Sequence, residues 1–402
     1  MKKNESFLPY GLHLIDDDDV DAVVAVLKSD FLTTGPATEA FEDALASRTN
    51  ARHAVSCSSG TAALHLATLA LNLGPGDCVI VPSITFLATA NAARYVGADV
   101  VFADVDPDTG LMGPDEFRSA LKIANDRAKA VIPVHLAGQN PDMQEIAGIA
   151  RENNIAVIED ACHALGSVYD GKKVGGCADS DMAVFSFHPV KTVAMGEGGA
   201  ITTNDEELAK RMRSLRSHGM TRTPADFTNS DLAFEETGMA NPWYYEMPEM
   251  GFNFRASDIH CALGLSQLNK LTALVTRRRE LASLYDTVLD TLSAHISPVG
   301  RTPGSIPAWH LYISLIDFDA AGISRSLLMR QLHDRGIGTQ VHYIPVHHQP
   351  YYRGLYGETS LPGADAYYSR CLSLPLHPGM ENRDVERVAD ALSDILPADT
   401  VG

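Results

Sequence analysis

A lysine near the middle of the chain has an unusual neighbourhood. Lys191 follows Phe185-Ser186-Phe187-His188-Pro189-Val190 and is soon followed by the glycine-rich run Gly196-Glu197-Gly198-Gly199. Apolar flanks keep water from an amine, which disfavours the ammonium form, lowers the pKa and leaves a competent nucleophile. A solvated surface lysine is the ordinary alternative, and the aromatic flanks and glycine loop argue against it. Asp160 lies 31 residues earlier, in Ile158-Glu159-Asp160-Ala161-Cys162-His163, at the end of an apolar run. A carboxylate there can cap a helix, bind a metal or partner a ring nitrogen. Ser58-Ser59-Gly60-Thr61-Ala62 is a turn of small residues opening an Ala/Leu-rich stretch. Free N–H groups and a positive dipole end suit a phosphate, although strand-to-helix turns favour Ser and Gly anyway. In Gly251-Phe252-Asn253-Phe254-Arg255 the Asn and Arg can contact phosphate or simply cap the next helix.

The elements that must position these residues alternate. Strands are expected at His53–Cys57, Cys78–Val81, Asp99–Ala103, Val131–Val134, Ala156–Glu159, Met182–Phe187 and Gly199–Thr203. Helices are expected between them, at Ala62–Leu73 and Leu87–Val96 among others. Val20, Val23, Val24 and Leu27 form a helical stripe capped by Asp16 to Asp19, and Thr38–Arg48 is a second early helix. Such alternation predicts an α/β fold with a mostly parallel central sheet flanked by helices. In an open parallel sheet ligands bind beyond the carboxyl ends of the strands, so the four segments plausibly converge. The texture changes near residue 258. A long helix from Ile259 to Leu289 is expected, then a half-exposed strand Leu311–Ile316, helix Ser324–Arg335, strand Thr339–Tyr343 and helix Asn382–Leu396. The expected division is a large α/β domain over residues 1–258 and a smaller α+β domain over 259–402.

A phosphate-cradling turn, a strand-end carboxylate and a desolvated lysine together are what pyridoxal 5'-phosphate needs: donors for its phosphate, a partner for its pyridine nitrogen and an amine for its aldehyde. Gly196-Glu197-Gly198-Gly199 precedes a strand instead of following one, so it is not a dinucleotide fingerprint, and a nicotinamide dehydrogenase is disfavoured.

Composition narrows the partners. Lys and Arg total 32 against 51 Asp and Glu, a net charge of −19, the opposite of a nucleic-acid binder. No apolar run approaches the ~18 residues of a membrane helix, and the polar start does not read as a signal peptide. The six cysteines include no Cys-x-x-Cys pair, which argues against a zinc site or disulfide scaffold and fits a reducing cytoplasm. The histidines between Val341 and His348 lack carboxylate–histidine spacing, so no metal is expected.

The sequence resembles the DegT–StrS family of pyridoxal-phosphate sugar aminotransferases over residues 8–390. The resemblance rests on Ser59–Leu64, Pro82–Thr89, Glu159–Ser167, Ser186–Gly199 and Gly251–Arg255. It implies the fold-type I aminotransferase architecture and a homodimer with shared active sites. Carried over residue by residue, it makes Lys191 the Schiff-base lysine, Asp160 the ring-nitrogen partner and His163 a neighbour of the cofactor's 3-hydroxyl. Gly60, Thr61 and Ser186 become phosphate contacts, Phe86 the ring-stacking aromatic and Asn253 a phosphate contact from the neighbouring subunit. His188, His342 and Tyr343 are implied to lie near the nucleotide-sugar site. One branch of the family carries histidine in place of the lysine and dehydrates its substrate; Lys191 favours transamination. Ser29–Pro36, Arg216–Met220, Trp243–Glu246 and Val341–His347 resemble the branch that aminates C4 of a UDP-linked 4-keto-6-deoxy-2-acetamido sugar with L-glutamate. Gly251–Ser257 and Thr192–Met195 depart from that branch. Aminotransferases for GDP-, dTDP- or other UDP-linked keto sugars share most of these motifs.

Overall fold

A computed structural model describes residues 7–396. Seven strands form the large sheet: β1 (His53–Cys57), β2 (Cys78–Pro82), β3 (Asp99–Ala103), β4 (Ala128–Val131), β5 (Ala156–Asp160), β8 (Met182–Ser186) and β9 (Gly199–Thr203). Between β5 and β8 lies a short hairpin, β6 (Val168–Tyr169) and β7 (Lys172–Lys173). The spatial order is β1-β9-β8-β5-β4-β2-β3. Only β9 runs against its neighbours; all other adjacent pairs are parallel. Fully buried strands such as Cys78-Val79-Ile80-Val81-Pro82 read as continuous apolar runs because helices cover both faces. Helices Gly60–Ala70, Leu87–Tyr95, Pro114–Ala124, Met143–Glu152 and Glu206–Leu215 supply that cover.

The C-terminal unit is smaller. It holds β10 (Ile296–Pro298), β11 (Ser305–Ile306, which pairs with β6), β12 (Tyr312–Ile316) and β13 (Cys371–Leu374), with β12 between β10 and β13. Helices Leu271–Leu289, Arg325–Asp334, Pro362–Arg370 and Asn382–Ile395 surround this sheet. The amino-terminal segment packs here too: Leu8 N–H donates to Gly336 O at 2.8 Å, and Leu8 O accepts from Gly338 N–H at 2.8 Å.

Four expected elements differ. The strand expected at Val131–Val134 is Ala128–Val131, because Pro133 has no N–H to give a ladder; it contributes only its carbonyl, to Asp160 N–H at 2.9 Å. The expected long helix breaks at Lys270 into Asp258–Asn269 and Leu271–Leu289, where Lys270 turns back to pair with buried Asp19 at 2.8 Å. Strand β12 is buried on both faces, not one. Tyr285 of helix Leu271–Leu289 stacks on Tyr312, centroids 4.5 Å apart. Thr339–Tyr343 is not a strand: Gln340 makes one bridge to Ser373, and the chain then leaves the sheet to enter a cavity.

Candidate active site

The cavity measures about 580 Å³ and opens at the carboxyl edge of the large sheet. The segments after β1, β2, β5 and β8 line it, and His310, His342 and Tyr343 close it from the C-terminal unit. Nine of the expected site residues share this lining: Gly60, Thr61, Phe86, Asp160, His163, Ser186, Lys191, His342 and Tyr343. His188 joins them, exposed near the mouth.

The first turn of helix Gly60–Ala70 forms one wall. Ser59 caps it by accepting Ala62 N–H at 3.1 Å. The N–H groups of Gly60 and Thr61 have no partner within a helix by geometry. A Cβ on residue 60 would stand 2.8 Å from Ser186 Cβ, so only glycine lets the helix start touch Ser186. The result is a compact cradle of backbone N–H groups and a hydroxyl, which matches a phosphate's acceptor oxygens.

Lys191 sits in the loop after β8. Its N–H donates to His188 O at 2.8 Å, and Phe187 N–H to Gly198 O and Met195 N–H to Phe187 O, both at 2.9 Å, hold the loop. Burial pushes the lysine amine below its usual range, and the opposing pull of Cys162 and Asp160 does not cancel this. Asp160 ends β5. Its Oδ2 accepts the Thr89 hydroxyl at 2.6 Å and its Oδ1 accepts Cys162 N–H at 3.2 Å. Thr89 Oγ1 is also 2.7 Å from Thr85 Oγ1, so Thr85 donates to Thr89 and Thr89 to the carboxylate.

His163 has a fixed tautomer. Ala137 N–H donates to its Nδ1 at 3.2 Å, so the ring proton sits on Nε2, which lies 3.1 Å from Tyr343 Oη. Burial, then the charge of Lys191, holds this imidazole well below the ordinary histidine range, so it is neutral. Tyr343 Oη therefore accepts from His163 and keeps its own hydrogen to donate into the cavity. Burial raises that phenol's pKa, so the hydrogen stays on. His342 bonds Ser373 Oγ through Nδ1 at 2.7 Å, and burial lowers its pKa to about 3. Phe86 is 55 % exposed, an aromatic face left open beside the cavity and available to a stacked ring.

Residues 13–393 match the DegT/DnrJ/EryC1/StrS aminotransferase family. The chain belongs to this family. Among relatives of this aminotransferase is the spore coat polysaccharide biosynthesis protein SpsC of Bacillus subtilis, 40% identical over 399 residues, covering 98% of this chain and 99% of SpsC. Among solved structures, Helicobacter pylori PseC, an aminotransferase involved in the biosynthesis of pseudoaminic acid, superposes with a TM-score of 0.87 at 31% identity, covering 97% of this chain and 99% of PseC. S. venezuelae DesV, crystallised in complex with a ketimine intermediate, gives 0.84 at 31% identity, covering 97% of this chain and 98% of DesV. The fold is therefore that of the fold-type I enzymes, the cofactor is pyridoxal phosphate, and the reaction is amination of a nucleotide-linked keto sugar. The cavity fits the cofactor on its own terms: a phosphate cradle, a desolvated amine and a hydrogen-bonded carboxylate in one space.

Two features of this aminotransferase escaped the sequence analysis. The Thr85–Thr89 relay to Asp160 lies within the quoted Pro82–Thr89 motif, and the four-residue spacing at a strand-to-helix junction was its only mark. His310, whose ring lies 4.5 Å from that of His163, comes from a distant segment with no motif. Asn253 is exposed, forms a bridge to Ser217 and does not line the cavity of its own chain. Among the described residues, no helix is long and apolar enough to cross a membrane.

Proposed function

We propose that this aminotransferase moves the amino group of L-glutamate to C4 of a UDP-linked 4-keto-6-deoxy-2-acetamido sugar, with Lys191 as its reacting amine. The observation that carries the residue roles is the convergence of Lys191, Asp160 and the Gly60–Ser186 cradle in one cavity. Gly60, Thr61 and Ser186 would hold the phosphate, Asp160 the pyridine nitrogen, and Phe86 the ring face. Bound there, pyridoxal phosphate supplies an electron-withdrawing ring that makes the proton α to an amine removable. Lys191 Nζ, more readily neutral because it is desolvated, takes the proton from the donor's α-carbon and later delivers one to the sugar carbon that gains the amine. Asp160 would keep the cofactor's ring nitrogen protonated, since a carboxylate favours a neighbouring cation. Tyr343, with its oxygen engaged by His163, presents a hydrogen to an oxygen in the cavity. Asn253, exposed and outside its own cavity, serves the cavity of a second copy, which makes the working unit a homodimer.

The sugar assignment draws on the likeness to PseC and on the Val341–His347 segment, whose His342 and Tyr343 line the cavity. The higher identity to SpsC supports a second reading, an acceptor sugar destined for a different polysaccharide. Incubating the holoenzyme and glutamate with UDP-, GDP- and dTDP-linked keto sugars separates them. The proposal expects 2-oxoglutarate and a C4 amine, identified by mass and proton spectra, with the UDP sugar preferred. Preference for a GDP or dTDP sugar overturns it.

Replacing Tyr343 with phenylalanine removes the acceptor for His163 and the hydrogen offered to the cavity. A kcat about tenfold lower is expected, the worth of one such hydrogen bond, with cofactor content unchanged. Absorbance of bound cofactor and steady-state rates on one preparation check this; an unaltered kcat denies Tyr343 the role.

A further inference from the structure

Behind the cavity wall, three side chains outside the site described above meet. His347 and His348 lie on the short turn Val346–His348, and Asp365 is in the first turn of helix Pro362–Arg370. One ligand atom of each lies within 4.8 Å of the other two. His348 Nε2 is 2.7 Å and His347 Nε2 3.9 Å from Asp365 Oδ1. In a tetrahedral zinc site with bonds of ~2.0–2.1 Å, ligand atoms stand about 3.4 Å apart. The two separations from Asp365 bracket that value, and the third pair lies within 4.8 Å, so side-chain adjustment can bring the three atoms to ligand spacing.

His347 gives the second observation. Its ring is 2 % exposed, and Nε2 is buried with no hydrogen-bond partner among the described residues. A buried polar atom left unpaired is costly and calls for an explanation. The other ring nitrogen, Nδ1, is 2.5 Å from Ser83 Oγ. With the proton on Nδ1 and shared with Ser83, Nε2 turns a lone pair toward His348 and Asp365. Metal-binding histidines are oriented in this way, the far ring nitrogen held by a hydrogen bond.

We propose that His347, His348 and Asp365 form a binding site for a divalent transition-metal ion, Zn²⁺ in kind, with a fourth position open to water. Two imidazoles and one carboxylate select Zn²⁺ or Co²⁺ over Mg²⁺ or Ca²⁺, which prefer oxygen ligands. His348 and Asp365 are exposed, so an ion can enter from solvent. The sequence separates Asp365 from His348 by 17 residues, which is why no ligand spacing stands out. The ion would brace the cavity from outside. Val346 N–H donates to Ser83 O at 2.9 Å, and Ser83 begins the run that ends in Phe86. On the opposite side, Tyr367 of helix Pro362–Arg370 donates to His342 O at 3.2 Å. The role is therefore structural: the metal ties a turn and a helix that flank the cavity.

The test uses the holoenzyme, treated with chelator and dialysed, then titrated with Co²⁺ and followed by visible d–d absorption. Binding of one Co²⁺ per chain is expected, displaced by Zn²⁺, with a thermal midpoint that rises on adding Zn²⁺. His348→Gln and Asp365→Asn, at exposed positions that leave buried His347 in place, are expected to weaken binding by at least ~100-fold and abolish the thermal shift. Both variants should keep the cofactor absorbance and turnover of the metal-free enzyme, which separates this site from the catalytic one. Absence of saturable binding, or equal affinity in the variants, overturns the proposal.

Discussion

Lys191→Ala should reduce turnover by at least ~10³-fold while leaving the fold and the phosphate cradle intact. General acid–base transfer by a positioned side chain is worth about 10²–10⁴-fold, and the proposed role gives this lysine the covalent attachment as well. The truncation removes a cation from a cavity whose desolvation already disfavours it, so no large stability penalty follows; the space it leaves adjoins solvent-accessible volume. Cofactor should still bind through Gly60, Thr61 and Ser186, without the absorption of the lysine-linked form. Steady-state assay, far-ultraviolet dichroism and the absorbance of dialysed protein read the three expectations together. Retention of both turnover and the lysine-linked absorption removes Lys191 from its role.

Asp160→Asn should cost about 10²-fold in kcat, or ~3 kcal/mol of transition-state stabilisation. The change is nearly isosteric. The Cys162 main-chain N–H cannot reverse, so the asparagine oxygen must face it, and the new NH₂ must face Thr89. A hydroxyl can turn to accept, so Thr89 adapts and the hydrogen-bond count is kept. What disappears is the negative charge that favours a protonated ring nitrogen. The variant should therefore fold, hold cofactor and turn over slowly, with the loss in kcat greater than any rise in KM. A near-normal rate means that the carboxylate charge does not drive the reaction.

Local physics made the large sheet legible. The ends of β1, β3 and β9 fall where apolar runs meet Ser, Asp or Gly, and the expected bounds match. Asp160 at the end of one apolar strand and Lys191 in the apolar loop after another stood out in combination with the Ser58–Ala62 turn, since each alone has an ordinary explanation. The C-terminal unit was harder. The alternation in β12 suggested an exposed face that helix Leu271–Leu289 covers from afar. The break at Lys270 depends on Asp19, 251 residues earlier, and no local propensity marks it. Tautomer and relay were equally invisible, since both need atoms from segments far apart in the chain: Ala137 N–H sets the proton on His163, and Thr89 reaches Asp160 across 71 residues of sequence. The His347–His348–Asp365 cluster is of the same kind, a product of folding with no linear motif.

The most direct test of the central assignment is chemical. Protein loaded with pyridoxal phosphate is reduced with borohydride, digested and mapped by mass. The account predicts one pyridoxyl-phosphate group per chain, on the peptide that contains Lys191. The same group on another lysine, or no stable adduct at all, contradicts it.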